Sequence, residues 1–376
     1  MATGHYRNRG TKNGKTTWQL TVECDRDPIT GKRDRHYKTI NGTKKEAESA
    51  LRKMILQYET GSPVKQSSLK IKDWMQQWLD LYLPNIEGTT RESYTEKINT
   101  HIIPELGHIP LKALNTATIQ TWINKLHQEK NLAPKSVRNI YLNLNAALEQ
   151  AVTLRMIPYN PTAGVVLPKR EKYTAEIYDK AEVDKMLNVA KGTDFYIPLL
   201  LAVYVGLRRG ELVALKWSDI DLDKGIIHVR HNAVMVNGEL VIKAPKSAAG
   251  IRDVAIGNKL VTELRKEKLQ YNKNKIAHGK DFVDSDLVIC KPNGEGFRPD
   301  SITQKWDRFV ERNNLKRIRF HDLRHTCATL MAQAGVSPKT AQERLGHADV
   351  SVTMNIYTHS TERMNRTAAT LLDTMI

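Results

Sequence analysis

A phosphodiester can be opened by a side-chain oxygen if four chemical needs are met together. A nucleophile must lose its proton, and charge on the two non-bridging oxygens must be stabilised. The leaving oxygen must receive a proton, and the attacking and leaving atoms must lie in line. Five short strings of the 376-residue chain carry side chains of these types: Arg208 in GLRRGEL, Lys246 in PKSAAGIRDV, His321 and Arg324 in HDLRH, His347 after LeuGly, and Tyr357 in IYTH. Arg208 and Arg324 suit the phosphate oxygens, because a guanidinium stays charged and offers paired N–H donors. His321 lies three residues before Arg324, which on a helix places both on one face. It can take the tyrosine proton. Lys246 can protonate the leaving oxygen, and His347 can donate to the phosphate. Tyr357 is the candidate nucleophile; its unperturbed pKa of ~10 requires activation by surrounding cations.

Each residue alone also has a plainer reading. Glu211, three residues past Arg208, either supports the guanidinium or caps the next helix. His321 can be a packed helix-start histidine. Lys246 can be a simple phosphate contact, with Lys243 as a nearby competitor for its role. His325 and His359 read as structural. The set calls for no cofactor: it needs neither ATP nor metal, and the chain has no Walker A, HExxH or EF-hand string.

Composition points to the same substrate. The formal net charge is +17, which implies a polyanionic partner, with double-stranded DNA favoured over a membrane surface. Cys24, Cys290 and Cys327 are far apart and form no CxxC or CxxH pair, against a disulfide framework or zinc site. The start has no apolar signal core and no run approaches ~18 apolar residues. A cytoplasmic, nucleoid-associated protein is expected.

The elements that must position these residues fall into three domains. Residues 1–60 carry thirteen basic against seven acidic side chains. Trp18, Leu20 and Val22 alternate as in a half-buried strand, and RHYKTI reads as a returning strand after a turn at 28–31. Thr43 with Glu46 predicts a capping box. Ala47, Ala50, Leu51, Met54, Ile55 and Tyr58 then line one helical face. This small α+β unit reads as a DNA-binding module. Residues 61–68 read as a linker. Residues 69–160 predict four helices: one built on Leu69, Ile71, Trp74, Trp78, Leu81 and Tyr82, one over 89–102 ended by Pro104 and Gly107, and two over 116–129 and 135–154. Arg91, Lys97, Lys112, Lys125, Lys135 and Arg138 are its candidate phosphate contacts. A second linker is expected over 161–172. Residues 173–376 predict a mixed α/β domain, with helices at 179–190, 195–205, 209–216, 258–273, 300–313, 322–334 and 338–345. Its strands are expected at 225–231, 233–236, 239–243 and 251–256, with Asn237-Gly238 as a hairpin turn.

The five strings, in this order, resemble the tyrosine recombinase (phage integrase) family. HIIPELGHIPLKAL and AVTLRMIPYNPT are similar to its helical core-binding domain. The first 60 residues are similar to the arm-binding module of phage and conjugative-transposon integrases. The resemblance implies a multidomain, mainly α fold with small β-sheets: an α+β arm-binding module, a four-helix SAM-like core-binding domain and a C-terminal mixed α/β catalytic domain. It implies that Tyr357 forms a 3′-phosphotyrosine and frees a 5′ hydroxyl, with Arg208, Lys246, His321, Arg324 and His347 completing the site. It also implies a homotetramer on core and arm attachment sites, and an excisionase or DNA-bending protein as accessory partner. Val205 departs from the usual Thr before Gly-Leu-Arg, which reads as a packing change. The C-terminal segment from Ser360 is expected to form a helix, docked in cis or in trans. Two rivals stay open: a type IB topoisomerase-like strand transferase, and a non-catalytic regulator on the same fold.

Overall fold

The computed structural model describes residues 3–12, 15–23, 35–59, 69–84, 86–170 and 175–349, with positions 354, 369–370 and 372–373. The chain divides into two compact units, Met1–Glu171 and Lys172–Ile376.

The first unit opens with an antiparallel sheet in the order β1 (Thr3–Lys12), β2 (Lys15–Glu23), β3 (Arg35–Asn41), followed by α1 (Lys44–Glu59). β2 is central because its alternating Leu20 and Val22 are fully buried against Ala47, Leu51 and Met54 of α1. The capping box forms: the Thr43 N–H donates to Glu46 and the Glu46 N–H to the Thr43 hydroxyl. β1 is a strand the sequence did not announce. It carries no apolar alternation and is held at the sheet edge by its ladder to β2. The turn expected at 28–31 and the side chain of Tyr58 lie outside the described residues, as does the linker 61–68.

The helical part of this unit comprises α2 (Ile71–Tyr82), α3 (Gly88–Lys97), α4 (Ile103–Leu106), α5 (Thr116–Gln128) and α6 (Pro134–Thr153). Trp74, Met75, Trp78 and Leu79 form the buried face of α2, and the Trp74 indole N–H donates to the Ala147 carbonyl. Leu81, expected on that face, is exposed; Leu79 takes its place. Burying such a side chain contributes about 2 to 3 kcal/mol. A second correction concerns Pro104, which does not end the helix. Residues Ile98–Ile102 form a π-helical turn in which the Ile103 N–H reaches the Ile98 carbonyl. That wider turn absorbs the proline's missing N–H and its ring bulk, and the helix ends at Gly107. A third correction concerns 161–167, expected as linker. Buried Thr162 bonds Asn145 and Asn160, the Thr116 hydroxyl donates to the Pro161 carbonyl, and the Val166 N–H donates to Gln120. This stretch is docked on the helices.

The second unit contains α7 (Lys180–Ala190), α8 (Tyr196–Tyr204), α9 (Arg209–Ala214), β4 (Ile220–Asp221), β5 (Ile226–Val229), β6 (Asn232–Val236), β7 (Glu239–Lys243), β8 (Arg252–Ala255), α10 (Asn258–His278), α11 (Pro299–Arg312), α12 (Asp322–Gln333) and α13 (Pro338–Leu345). Strands pair antiparallel in the order β4-β5-β8, and β6 with β7 forms a separate hairpin. Asn237 and Gly238 at its turn both have positive φ, as a type I′ turn requires. α8 is apolar nearly all round and is the centre of the core, where Leu199, Leu200 and Leu201 are buried with Trp306, Phe320 and Leu323. Val205 is fully buried at the end of α8, in keeping with a packing role.

Candidate active site

The end of α8, the start of α9, the start of β8, α12 and the end of α13 meet at one place. Gly206 turns the chain between α8 and α9 at φ +70°, where a β-carbon would lie 2.5 Å from the Leu345 side chain. This close approach lets the turn sit directly beneath the end of α13. Arg208 follows as the N-cap of α9. Its guanidinium donates to Glu211 Oε1 at 2.7 Å and to the Gly346 carbonyl. Its backbone N–H donates to Glu211 Oε2 at 3.0 Å. Both readings of Glu211 therefore hold: one carboxylate caps the helix and anchors the guanidinium.

Arg324 projects from α12 and is 3 % exposed. It donates to the carbonyls of Gly206 and Leu345. Arg208 and Arg324 thus donate to consecutive carbonyls, Gly346 and Leu345, where α13 ends. α13 stops because Gly346 adopts the left-handed conformation (φ +69°) and its N–H donates back to Gln342 and Glu343. A β-carbon there would meet the Ala249 carbonyl at 2.6 Å. The loop that begins at Lys246 is therefore in contact with the turn that presents His347. Lys246 itself is exposed in the segment between β7 and β8, and Lys243 is the last residue of β7.

Three guanidiniums gather here: Arg208, Arg324 and Arg252 of β8. Glu211, 2 % exposed, is the carboxylate bonded to two of them. Burial alone would raise its pKa; the hydrogen bond and charge of Arg252, then the charge of Arg208, outweigh burial and hold it low. Burial and the neighbouring Arg208 act against the charge of Arg324, yet a guanidinium remains protonated in proteins. Three guanidiniums around one carboxylate leave a fixed excess of positive charge, suited to a phosphate. The same field acts on the histidines. His347 is pushed down to about 3, first by burial and then by Arg324 and Arg208. His321, at the start of α12, is lowered by partial burial and then by His325 and Arg324, although the residue as a whole is exposed. His321 and His325 stack edge to face at 5.5 Å between ring centres. Neutral imidazoles in this setting can accept a proton or donate a hydrogen bond.

Arg208, Glu211, His321, Arg324 and His347 are thus drawn together from positions spread over more than a hundred residues. Tyr357 and His359 lie outside the described residues. Arg252 was missed by sequence reasoning. Its signal was an arginine on the same face of β8 as buried Val254, where a charge needs a partner. Among the described residues, no group of three or more His, Cys, Asp or Glu side chains could hold a metal ion. No helix among the described residues is long and apolar enough to cross a membrane.

In the helical part of the first unit, Arg91, Lys112, Lys135 and Arg138 are exposed, on α3, between α4 and α5, and on α6. Lys97 bonds Ser93 within its own helix. Lys125 is committed to an ion pair with Glu105 at 2.8 Å, which holds that carboxylate at about 2 together with Lys130.

The chain is similar to known proteins along most of its length. Residues 176–364 match the phage integrase family, residues 70–127 its N-terminal SAM-like domain, and residues 6–58 an arm DNA-binding domain. The chain is 28% identical to a "Tyrosine recombinase XerC-like" protein of Caldanaerobacter subterraneus, over 96% of this chain and 97% of that one. It is 27% identical to the ICEBs1 integrase of Bacillus subtilis, over 97% and 98%. The fold is similar to the Tn1549 transposon integrase solved with transposon right end DNA (TM-score 0.68, 22% identity, 81% of this chain and 99% of that one). It is also similar to the lambda integrase solved as a tetramer on a Holliday junction (TM-score 0.59, 21% identity, 89% and 91%). A match that spans half the chain and contains all five candidate strings, on a fold with the same three parts, means that the chain belongs to the phage integrase family.

Proposed function

We propose that this tyrosine recombinase integrates and excises a mobile element by cutting and rejoining DNA at specific sites, with Tyr357 as nucleophile. The observation that carries the reading is the pair Arg208 and Arg324, bonded to the adjacent carbonyls of Gly346 and Leu345, with more N–H donors than these bonds use. They bind the non-bridging oxygens of the scissile phosphate. His321 takes the phenol proton, and His347 donates to the phosphate. Lys246, carried on the loop against Gly346, protonates the leaving 5′ oxygen. The bond broken is between phosphorus and that oxygen; the bond formed joins phosphorus to the tyrosine oxygen. A 5′ hydroxyl from a partner duplex reverses the step, so no external energy source is required.

The exposed bases Arg91, Lys112, Lys135 and Arg138, with Lys97 and Lys243, contact DNA phosphates. Residues 1–60 read a second, arm-type DNA site, the 69–160 domain grips the core site, and four copies assemble on two duplexes. An excisionase or DNA-bending protein sets direction, and the protein works at the nucleoid in the cytoplasm. The test is a nicked suicide substrate, from which the severed end diffuses away after cleavage. The wild-type chain is expected to accumulate a covalent protein–DNA adduct. Tyr357→Phe is expected to form none while its DNA dissociation constant changes less than about twofold, since only the hydroxyl is lost. Binding without any adduct from the wild-type chain would contradict the proposal.

A further inference from the structure

Arg252 sits at the start of β8, six residues past Lys246, and is 8 % exposed. Its guanidinium makes four hydrogen bonds. Nη1 and Nη2 donate to the two oxygens of Glu211 at 3.1 and 2.9 Å, Nη1 also donates to the Gly250 carbonyl at 3.0 Å, and Nε donates to the Arg344 carbonyl at 2.8 Å. One side chain thereby joins three separate segments. Gly250 closes the loop that carries Lys246, Glu211 holds Arg208, and Arg344 lies three residues before His347. Gly346, between them, would press a β-carbon to 3.0 Å from the Arg252 side chain.

We infer that Arg252 is a positioning residue for the cleavage step: by occupying both oxygens of Glu211 it keeps Arg208 oriented toward the scissile phosphate. Arg252 and Arg208 compete for one carboxylate. An arginine and a carboxylate prefer two parallel hydrogen bonds. Without Arg252, Glu211 would be a buried anion with Arg208 as its nearest cation, and would draw that guanidinium into a two-pronged pair. With Arg252 in place, Arg208 side-chain contact with Glu211 is a single bond, to Oε1, and its other terminal nitrogen points at Gly346. A lysine at 252 keeps the charge but cannot reach both oxygens and two carbonyls at once.

This inference rests on the proposed cleavage reaction, and its test separates the two. Single-turnover cleavage is measured on a suicide substrate with an ordinary scissile phosphate and on one with a methylphosphonate there. The methylphosphonate is uncharged and has little need of a correctly aimed arginine. Arg252→Lys is expected to cleave the phosphate ten- to a hundredfold more slowly than wild type, and the methylphosphonate less than threefold more slowly. Its DNA affinity should be unchanged. Equal losses on both substrates would mean that Arg252 merely holds the fold, and no loss on either would mean that it does nothing for cleavage. Both results overturn the inference. If Arg252→Lys does not fold, Arg252→Gln, which leaves Glu211 charged with Arg208 as its cation, is held to the same ratio. Failure of the wild-type chain to cleave either substrate would instead remove the reaction itself.

Discussion

At the scale of single residues, the site is a problem in stabilising like charges at close quarters. Arg208, Arg324 and Arg252 are held together by backbone carbonyls and by Glu211, so their fields act on every nearby titrating group. Of the histidines here, His347 is shifted most, first by its own burial and then by Arg324 and Arg208. In the DNA-free protein its pKa lies at about 3, far below the ordinary value of about 6.5 expected in the unfolded chain. The unfolded state therefore takes up a proton that the folded state refuses. This contribution to stability is complete above about pH 6.5 and declines as the pH falls through the window toward 3. Scanning calorimetry of the DNA-free protein is expected to show the melting temperature falling between pH 7 and pH 5. His347→Asn should flatten that slope; an identical slope in both proteins would contradict the charge environment described for His347. The arginines and histidines that gather here were legible in the sequence because phosphodiester chemistry calls for such functional groups. Arg252 was not, because its value lies in joining Glu211 to Arg344, and no spacing rule links positions 211, 252 and 344.

At the scale of elements, local signals read well wherever one local rule decides the outcome. The Thr43–Glu46 box, the Asn237-Gly238 turn and the helical face of α2 around Trp74 and Trp78 each rest on one such rule. The misreadings share one cause, which is tertiary packing overriding a local cue. Pro104 reads as a stop, yet the π-turn at Ile98–Ile102 carries the helix past it with Ile98 and Ile102 buried. The stretch at 161–167 reads as a linker, yet Thr162 and Asn160 find partners on α6. β1 has no apolar alternation and exists through its pairing with β2. Gly346 is the element-scale feature on which the site depends most. It ends α13, offers its carbonyl to Arg208 and lies against Ala249. Gly346→Ala places a side chain in the left-handed region, at a cost of about 1 kcal/mol, and against a backbone oxygen 2.6 Å away. Urea unfolding is expected to show a loss of about 2 kcal/mol or more, with cleavage reduced at least tenfold at temperatures where the variant is folded. A variant with wild-type stability and cleavage would mean that the turn tolerates displacement.

At the scale of the whole molecule, three separate apolar clusters serve the three parts: one around Leu20 and Val22, one around Trp74 and Trp122, and one around Trp306 and Leu200. Each part has its own core, so DNA contact and chemistry can be divided among them while the net charge of +17 serves all three. The proposed chemistry belongs to the last part, which carries the positive cluster, with Tyr357 as the proposed nucleophile. The most direct measurement is to trap the covalent adduct on a nicked substrate, digest the protein, and sequence the DNA-linked peptide by mass spectrometry. The account requires a peptide containing Tyr357 joined through its phenol oxygen to a 3′ phosphate. A linkage through any other residue, or to a 5′ phosphate, would contradict it.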